Sequence, residues 1–354
     1  MLELMGLEIE AIRMKAACNF FFRLIFVAVF MAGSYTNVSA KDEPNMAPIQ
    51  RQKPIPKITL KNISPPFIDH DYYRDYKEFA FDFNATSFNL INAWWLAEAS
   101  TLVYADENFV RRQFTRVGLK EVIFFDQQST QCFVASNEKF AIIAFRGSEI
   151  WKRKEKFDFK KTFADLKADV DIRLTDWPQG GKVHRGFKKA LDEVWHDLLV
   201  QIKWLDKNGR KIWMTGHSLG AALATLAADR YGKVQGVYTY GSPRVGDDTF
   251  KENFDVKAYR IVNNKDIVAQ VPPPVKYKHV GEIKFIDGDG NIHDQVMENG
   301  RMDNQPRDEL YGQENSNQRK KSQGLSIIPP SFRDHVPLLY AIHLWNNVVS
   351  KPEY

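Results

Sequence analysis

Cysteine is scarce in this chain, with only Cys18 and Cys132 among 354 residues. Two cysteines cannot build a disulfide scaffold, nor can they supply a cysteine-based zinc site. The apolar run near the N-terminus, Leu24–Ala32, has only nine residues, whereas a membrane-spanning helix needs about twenty. The excess of positive charge is small, at +5. Because no basic module of a nucleic-acid-binding kind accompanies it, we expect no nucleic-acid partner.

The composition is otherwise that of an ordinary globular protein. Hydrophobic residues make up 44% of the chain and charged residues 26%. These proportions exclude the disordered, collagen-like and coiled-coil classes. The length allows one large α/β domain or two small ones, and either can bury a substantial core.

The first 40 residues predict a secretion signal. Lys15 and Arg23 precede the apolar run, and the small residues Val38-Ser39-Ala40 follow it, as signal peptidase requires. Three glutamates stand before Met14, which is unusual for the start of a signal, so we predict that translation begins at Met14. Cleavage near Ala40 would give a secreted or periplasmic protein. An uncleaved membrane anchor is the alternative, and the short apolar run argues against it.

Two regions follow the predicted signal. Residues 41–87 are expected to form an extended N-terminal lead-in, because 41–66 are polar and rich in proline. Residues 88–354 are expected to form a single domain. Within it, residues 287–330 are polar and have no apolar periodicity, so we interpret them as a surface insertion.

Apolar periodicity predicts an α/β fold with a mostly parallel central sheet and helices on both of its faces. Helices are predicted at 88–104, 187–204 and 219–231. Strands are predicted at 121–125, 131–135, 140–145, 211–215, 234–240 and 258–262. The first three strands are short and joined by polar turns, which is typical of a meander.

The clearest chemical signal is the pattern Gly216-His217-Ser218-Leu219-Gly220, between a predicted strand and a predicted helix. A serine in such a turn takes a strained backbone conformation, and small residues two positions away on either side avoid a clash. The turn exposes the hydroxyl above a helix N-terminus, which favours developing negative charge. Ser218 is therefore the candidate nucleophile.

Ser218 needs a base, and in the α/β-hydrolase arrangement the base follows the serine in the chain. The histidines after Ser218 are His279, His293, His335 and His343. His293 lies in the polar insertion, and His343 lies in an apolar run where packing is expected. His335 follows a Pro-Pro loop and opens a helical run, which would allow its imidazole to face the serine.

Asp266 is the candidate acid. It follows the predicted strand 258–262, and the carboxyl ends of strands are where catalytic groups collect in open α/β sheets. Asp247, Asp255 and Asp287 are expected to be solvated loop residues. Asp287 begins a segment that resembles a calcium loop, but Ile292 stands where the loop needs glycine, so we predict a hairpin turn.

Six segments occur in an order that resembles the class 3 (fungal-lipase-like) triacylglycerol lipases, a family of secreted α/β-hydrolases. They are Phe145-Arg146-Gly147-Ser148, Val183-His184-Arg185-Gly186-Phe187, 216–220, Gly241-Ser242-Pro243-Arg244-Val245-Gly246-Asp247, Asp266 with Val271-Pro272-Pro273, and Asp334-His335. The resemblance covers roughly residues 90–345 and implies the α/β-hydrolase fold.

The resemblance also implies roles for particular residues. Ser218 would be the nucleophile, Asp266 the acid and His335 the base. The oxyanion hole would consist of Ser148 and the backbone N–H of Leu219. The segment around His279 would be structural, which weakens its claim to be the base.

The stretch 149–161 departs from the family, where this position carries an amphipathic lid. Here it contains six basic and three acidic residues, with Ile150, Trp151, Phe157 and Phe159 between them. One interpretation is a lid that contacts anionic lipid surfaces. The other is a solvated insertion, which is what charge runs usually are.

The sequence therefore predicts a secreted serine hydrolase that cleaves carboxylic esters of lipids at a membrane or droplet surface. No metal or organic cofactor is implied. The alternatives are a phospholipase A-type effector that acts on membranes and a non-catalytic binding protein with the same fold.

Overall fold

The computed structural model describes residues 51–59, 62, 63, 65–147, 173–294 and 328–351. The described residues lie within one compact unit, Pro48–Tyr354. Their main feature is an eight-stranded sheet with the strand order β1-β2-β3-β6-β7-β8-β9-β10. Strands β3, β6, β7, β8 and β9 run parallel, whereas β1, β2 and β10 pair antiparallel at the two sides.

The strands of the main sheet are β1 (Glu121–Gln127), β2 (Thr130–Ser136), β3 (Phe140–Phe145), β6 (Lys211–His217), β7 (Gly236–Tyr240), β8 (Ala258–Asn263), β9 (Glu282–Ile286) and β10 (Ile292–His293). A small antiparallel pair consists of β4 (Leu174–Asp176) and β5 (Lys182–His184). The helices are α1 (Leu90–Leu102), α2 (Glu107–Arg116), α3 (Arg185–Lys207), α4 (Leu219–Tyr231), α5 (Asp248–Asn253), α6 (Pro330–Arg333) and α7 (Pro337–Ser350).

The central strands form because their sequences suit burial on both faces. Every residue of β3, with the sequence Phe-Ala-Ile-Ile-Ala-Phe, is buried, and so is every residue of β7. Continuous apolar strands of this kind need helices on both sides of the sheet. Helices α1 and α7 share one apolar core with the sheet, and α3 and α4 share a second core on the opposite face. The predicted fold class and the predicted helices and strands are therefore confirmed.

The N-terminal stretch differs from the extended lead-in that its prolines predict. From residue 65 onward the chain is a series of turns, and Tyr72, Tyr73, Phe79 and Phe81 belong to the core that also contains α1 and α7. Aromatic residues separated by turns have no helix or strand period, so the pattern does not reveal their burial.

Residues 51–53 lie along α7. The backbone of Lys53 exchanges two hydrogen bonds with the side chain of Asn346 (2.7 and 2.9 Å), and Trp345 Nε1 donates to the carbonyl of Arg51 (2.9 Å). This N-terminal strap therefore holds the last helix against the core.

The described ends of the predicted insertion 287–330 are part of the fold. Asp287 begins a hairpin turn in which its carboxylate accepts from the N–H groups of Asp289 and Asn291, and β10 follows. The predicted hairpin is therefore confirmed, and Pro330 begins helix α6. Residues 295–327 lie outside the described residues, as do the predicted signal at 1–40 and the stretch 149–161. Within the described ranges, no helix combines the length and apolarity that crossing a membrane requires.

Candidate active site

Ser218 lies in a sharp turn between β6 and α4. Its φ of 60° and ψ of −128° are unusual for a residue with a side chain. A Cβ at Gly216 would overlap the backbone of Gly220, and a Cβ at Gly220 would overlap the carbonyl of Phe145. Glycine is therefore required on both sides of the serine, as the spacing predicts. The turn places Ser218 at the carboxyl edge of the sheet.

His335 lies between Ser218 and Asp266. Its Nε2 is 3.0 Å from the Ser218 hydroxyl, and its Nδ1 is 2.8 Å from Oδ2 of Asp266. The carboxylate only accepts hydrogen bonds, so Nδ1 carries the proton and Nε2 of the neutral ring accepts from the serine. All three side chains are buried, with 5% exposure for Ser218 and His335 and none for Asp266.

Asp266 is held as a carboxylate by several donors. Oδ2 also accepts from the Tyr340 hydroxyl (2.6 Å), and Oδ1 accepts from the N–H of Val268 (2.8 Å). Burial raises the pKa of Asp266, but the charge on His335 and these hydrogen bonds outweigh it, so the pKa is below its ordinary value. Asp266 is therefore ionised at neutral pH, as a carboxylate that orients a histidine must be.

The loops that carry the acid and the base are tied together. Asp266 follows β8, and at the end of that strand Asn263 Nδ2 donates to the backbone carbonyl of Asp334 (2.9 Å). The carboxylate of Asp334 in turn accepts from the Asn264 side chain (3.0 Å) and the Lys265 N–H (3.2 Å). Asp334 thus fixes the loop that presents His335, between α6 and α7.

The segment after β7 begins with Gly241, a position at which the site has no room for a side chain. Its φ is +56°, and a Cβ there would lie 2.5 Å from Oδ2 of Asp266 and 2.9 Å from Nδ1 of His335. A side chain at this position would separate the acid from the base.

Leu219 is the first residue of α4, so its N–H is among those that a helix leaves without an intrahelical acceptor. It lies beside Ser218, where an oxyanion could accept from it. Ser148 lies outside the described residues. The described chain on that side ends at Gly147, whose N–H donates to the Tyr104 hydroxyl (3.1 Å).

The structure places the other candidate histidines elsewhere. His279 donates through Nε2 to the carbonyl of Ala269 (2.8 Å), and His293 pairs with Asp287 (2.7 Å) beside the hairpin. His343 packs against the turn at Gly290. None of the three bonds to Ser218. Among the other acids, Asp247 accepts from the N–H of Phe250 (2.9 Å) at the start of α5.

Tyr340, on α7, was missed at the level of the sequence. Its hydroxyl donates to Asp266 and accepts from the N–H of Asn263 (3.1 Å). The sequence does place a tyrosine within the apolar run 338–345, and a buried phenol hydroxyl needs a hydrogen-bond partner. Nothing in the run identifies that partner, which lies 74 residues away.

Among the described residues, no group of three or more histidine, cysteine, aspartate or glutamate side chains is arranged to hold a metal ion. The chemistry that the described arrangement can support is nucleophilic attack by a serine with a histidine as general base.

Comparison with known proteins places this geometry in context. A sequence model of the class 3 lipases matches residues 142–276, which include Ser218 and Asp266 and end before His335. A lipase of Rhizomucor miehei is 33% identical over 166 residues, which are 42% of this chain and 42% of that protein. A phospholipase A1 of Arabidopsis thaliana, designated Igamma1 and chloroplastic, is 38% identical over 130 residues, or 25% of each chain.

A secreted mono- and diacylglycerol lipase of Malassezia globosa is 32% identical over 122 residues, which are 31% of this chain and 40% of that protein. The chain thus spans about two fifths of the length of these fungal relatives. A solved structure of the Rhizomucor miehei triacylglyceride lipase has a TM-score of 0.45 and 25% identity, over 56% of this chain and 80% of that one.

Proposed function

We propose that the chain belongs to the class 3, fungal-lipase-like family of the α/β-hydrolases, whose sequence model matches residues 142–276, and that it hydrolyses carboxylic ester bonds of lipids. The observation that carries the proposal is the continuous hydrogen-bonded series from Ser218 through His335 to Asp266, with distances of 3.0 and 2.8 Å. These are the distances at which a base can take the proton of a nucleophile.

The proposed reaction begins when the Ser218 hydroxyl attacks the acyl carbonyl while Nε2 of His335 takes its proton. Asp266 keeps the imidazole in the required tautomer and stabilises its protonated form. The tetrahedral oxyanion accepts from the N–H of Leu219. We assign the second oxyanion donor to Ser148 from the resemblance alone.

The intermediate then collapses. His335 gives its proton to the leaving alcohol, and the acyl group remains on Ser218. A water molecule attacks the acyl-enzyme with His335 again as the base, and the fatty acid leaves. The free serine is thereby regenerated.

A Ser218→Ala variant tests the proposal. Loss of the nucleophile in a serine hydrolase costs on the order of a million-fold in kcat, and we expect that loss on triacylglycerol, phosphatidylcholine and a short soluble ester. Ser100→Ala is the matched control, because Ser100 is also buried and its hydroxyl donates to the Ala97 carbonyl within α1. If Ser218→Ala retained more than a few per cent of turnover, the assignment of the nucleophile would be wrong.

The same assays distinguish the substrate classes. The names of the relatives include mono- and diacylglycerol lipases and a phospholipase A1, so we propose glycerolipids as the substrate class. A phospholipase would cleave phosphatidylcholine faster than triacylglycerol. A non-catalytic binding protein would cleave none of the esters, although the distances within the site favour an enzyme.

We further propose export and contact with anionic lipid, both from the sequence. The relative from Malassezia globosa is named as secreted, and N-terminal sequencing of an exported product should begin near Lys41. The stretch 149–161 has a net charge of +3, and each basic residue near an anionic membrane contributes roughly 1 kcal/mol. Activity should therefore be higher on anionic than on neutral vesicles at low salt, and equal rates would favour a solvated insertion.

A further inference from the structure

His217 has no role in the proposed reaction, although it precedes the nucleophile directly. It is 2% exposed, and its ring centroid lies 4.4 Å from that of His335, at an interplanar angle of 34°. A buried imidazole in contact with the proposed base affects either the position or the charge of that base.

The hydrogen bonds of His217 define its protonation state. Its Nε2 is 2.7 Å from the backbone carbonyl of His335. Because a carbonyl can only accept, Nε2 carries the proton. Its Nδ1 is 3.3 Å from the Tyr104 hydroxyl, which already accepts from the N–H of Gly147 (3.1 Å). The phenol therefore donates to Nδ1, and every donor in the series has one acceptor.

The series joins the two sides of the site. At one end is the backbone of His335, in the loop between α6 and α7. At the other end is Gly147, which follows β3 and precedes Ser148. Tyr104, just after α1, and His217, at the end of β6, connect them. A catalytic group must be held within a fraction of an ångström of its productive position, and buried hydrogen bonds achieve this.

We propose that Tyr104 and His217 are positioning residues for ester hydrolysis. Together they hold the backbone of His335 in a fixed position relative to Gly147, the residue that precedes the proposed oxyanion donor Ser148. The inference rests on the proposed function. It assigns no proton transfer to either residue, since their hydrogen bonds go to each other and to the backbone of Gly147 and His335.

The hydrogen-bonded series requires His217 to be neutral, because its Nδ1 accepts from the Tyr104 hydroxyl. Burial, together with the adjacent His335, lowers the pKa of His217 well below its ordinary value. His217 therefore stays neutral when His335 takes the serine proton. A charge on His217 would oppose the imidazolium across 4.4 Å.

Tyr104→Phe removes the central hydroxyl and preserves the ring. When a buried polar group loses its hydrogen-bond partner, the equilibrium constant for the correctly positioned state falls by a factor of about 10 to 100. We therefore expect kcat to fall about 10- to 100-fold, with KM within about twofold of the wild type. Tyr238→Phe is the matched control, because that buried hydroxyl accepts from the N–H of Asn89 (2.9 Å), away from the site. The control should keep the kcat of the wild type.

Two further measurements separate the possible failures. Nitrogen-15 NMR should show His217 as the neutral Nε2–H tautomer, and a proton on its Nδ1 would overturn the inference regardless of activity. Wild-type kcat in Tyr104→Phe would also overturn it. If the wild-type protein neither cleaves esters nor reacts with a fluorophosphonate at Ser218, the proposed function fails, and the tautomer of His217 still decides the hydrogen-bonded series.

Discussion

In the part of the chain that the structure describes, two histidine–carboxylate pairs with a buried carboxylate resemble each other closely. In one pair, His335 Nδ1 is 2.8 Å from Asp266, and Tyr340 donates to the same carboxylate. In the other, His70 Nε2 lies 2.9 Å from Glu98, and Trp94 Nε1 donates to that carboxylate (2.9 Å). Both carboxylates are completely buried.

The two pairs differ in what surrounds them. The second nitrogen of His335 faces the Ser218 hydroxyl, whereas His70 bonds to no serine, threonine or cysteine in the described ranges. Glu98 instead lies near Lys53, whose Nζ is 3.8 Å from the carboxylate. A buried histidine–carboxylate pair is therefore not evidence of catalysis by itself. The position of the pair relative to Ser218, the proposed nucleophile at the carboxyl edge of the sheet, makes the difference.

The largest expected effect comes from the two histidines. His335→Ala should reduce kcat by about a million-fold, as removal of the base does in serine hydrolases. His70→Ala should retain most of the turnover of the folded enzyme and lose stability instead. Steady-state kinetics and thermal unfolding of both variants provide the measurements. An inactive but stable His70 variant would contradict the distinction between the pairs.

Asp266 and Glu98 should likewise differ in their effect on kcat. Asp266→Asn leaves the shape of the site intact but favours the wrong imidazole tautomer, and the loss in kcat should be about 10⁴-fold. Glu98→Gln, the corresponding amide change in the other pair, should leave kcat close to that of the wild type. Comparable losses of kcat in the two variants would show that Glu98 also supports the site.

Glu98→Gln should instead affect stability, in a way that depends on pH. Burial opposes ionisation of Glu98, but the neighbouring charges of His70 and Lys53 and the hydrogen bonds hold its pKa below the ordinary value of 4.5. A carboxyl group with a lowered pKa stabilises the folded state above its unfolded pKa, and this contribution is lost as the pH falls through the folded pKa. Breaking a buried pair costs about 3 kcal/mol.

Denaturant unfolding should therefore show a difference of about 3 kcal/mol between the wild type and Glu98→Gln near pH 7. The difference should shrink as the pH falls below about 4.5, the unfolded value. A difference that stays constant from pH 7 to pH 3 would mean that the ionised pair does not contribute to stability.

The two pairs also illustrate what the sequence could reveal. Ser218, Asp266 and His335 could be proposed from the sequence because each follows a predicted strand or loop whose position in an α/β sheet is known in advance, and the structure brings the three side chains together. The central strands were found because burial on both faces leaves a continuous apolar run. His70 and Glu98 were not found, because a separation of 28 positions along the chain does not indicate contact.

Tyr340 and Tyr104 were missed for a related reason. Each lies in a run whose apolar period predicts a helix, and the period says which face is buried but not which distant polar group meets a hydroxyl. Packing of turn segments, as at Tyr72 and Tyr73, is likewise decided by the tertiary structure. A pattern in the sequence therefore locates elements and motifs more readily than the contacts between them.

The smallest effects are expected from Tyr340, which donates to Asp266, and from Trp94, which donates to Glu98. Tyr340→Phe removes one hydrogen bond to Asp266 and leaves the Asn263 N–H without its phenol acceptor. A net hydrogen bond contributes about 1 kcal/mol, which corresponds to roughly a fivefold decrease in kcat. Trp94→Phe removes the hydrogen bond to Glu98 and shortens the ring, so it should lower the free energy of unfolding by about 2 kcal/mol and leave kcat unchanged.

Because Tyr340 acts through Asp266, Tyr340→Phe should have little further effect on kcat in an Asp266→Asn background. Additive losses in that double variant would mean that Tyr340 supports the site by packing rather than through the carboxylate.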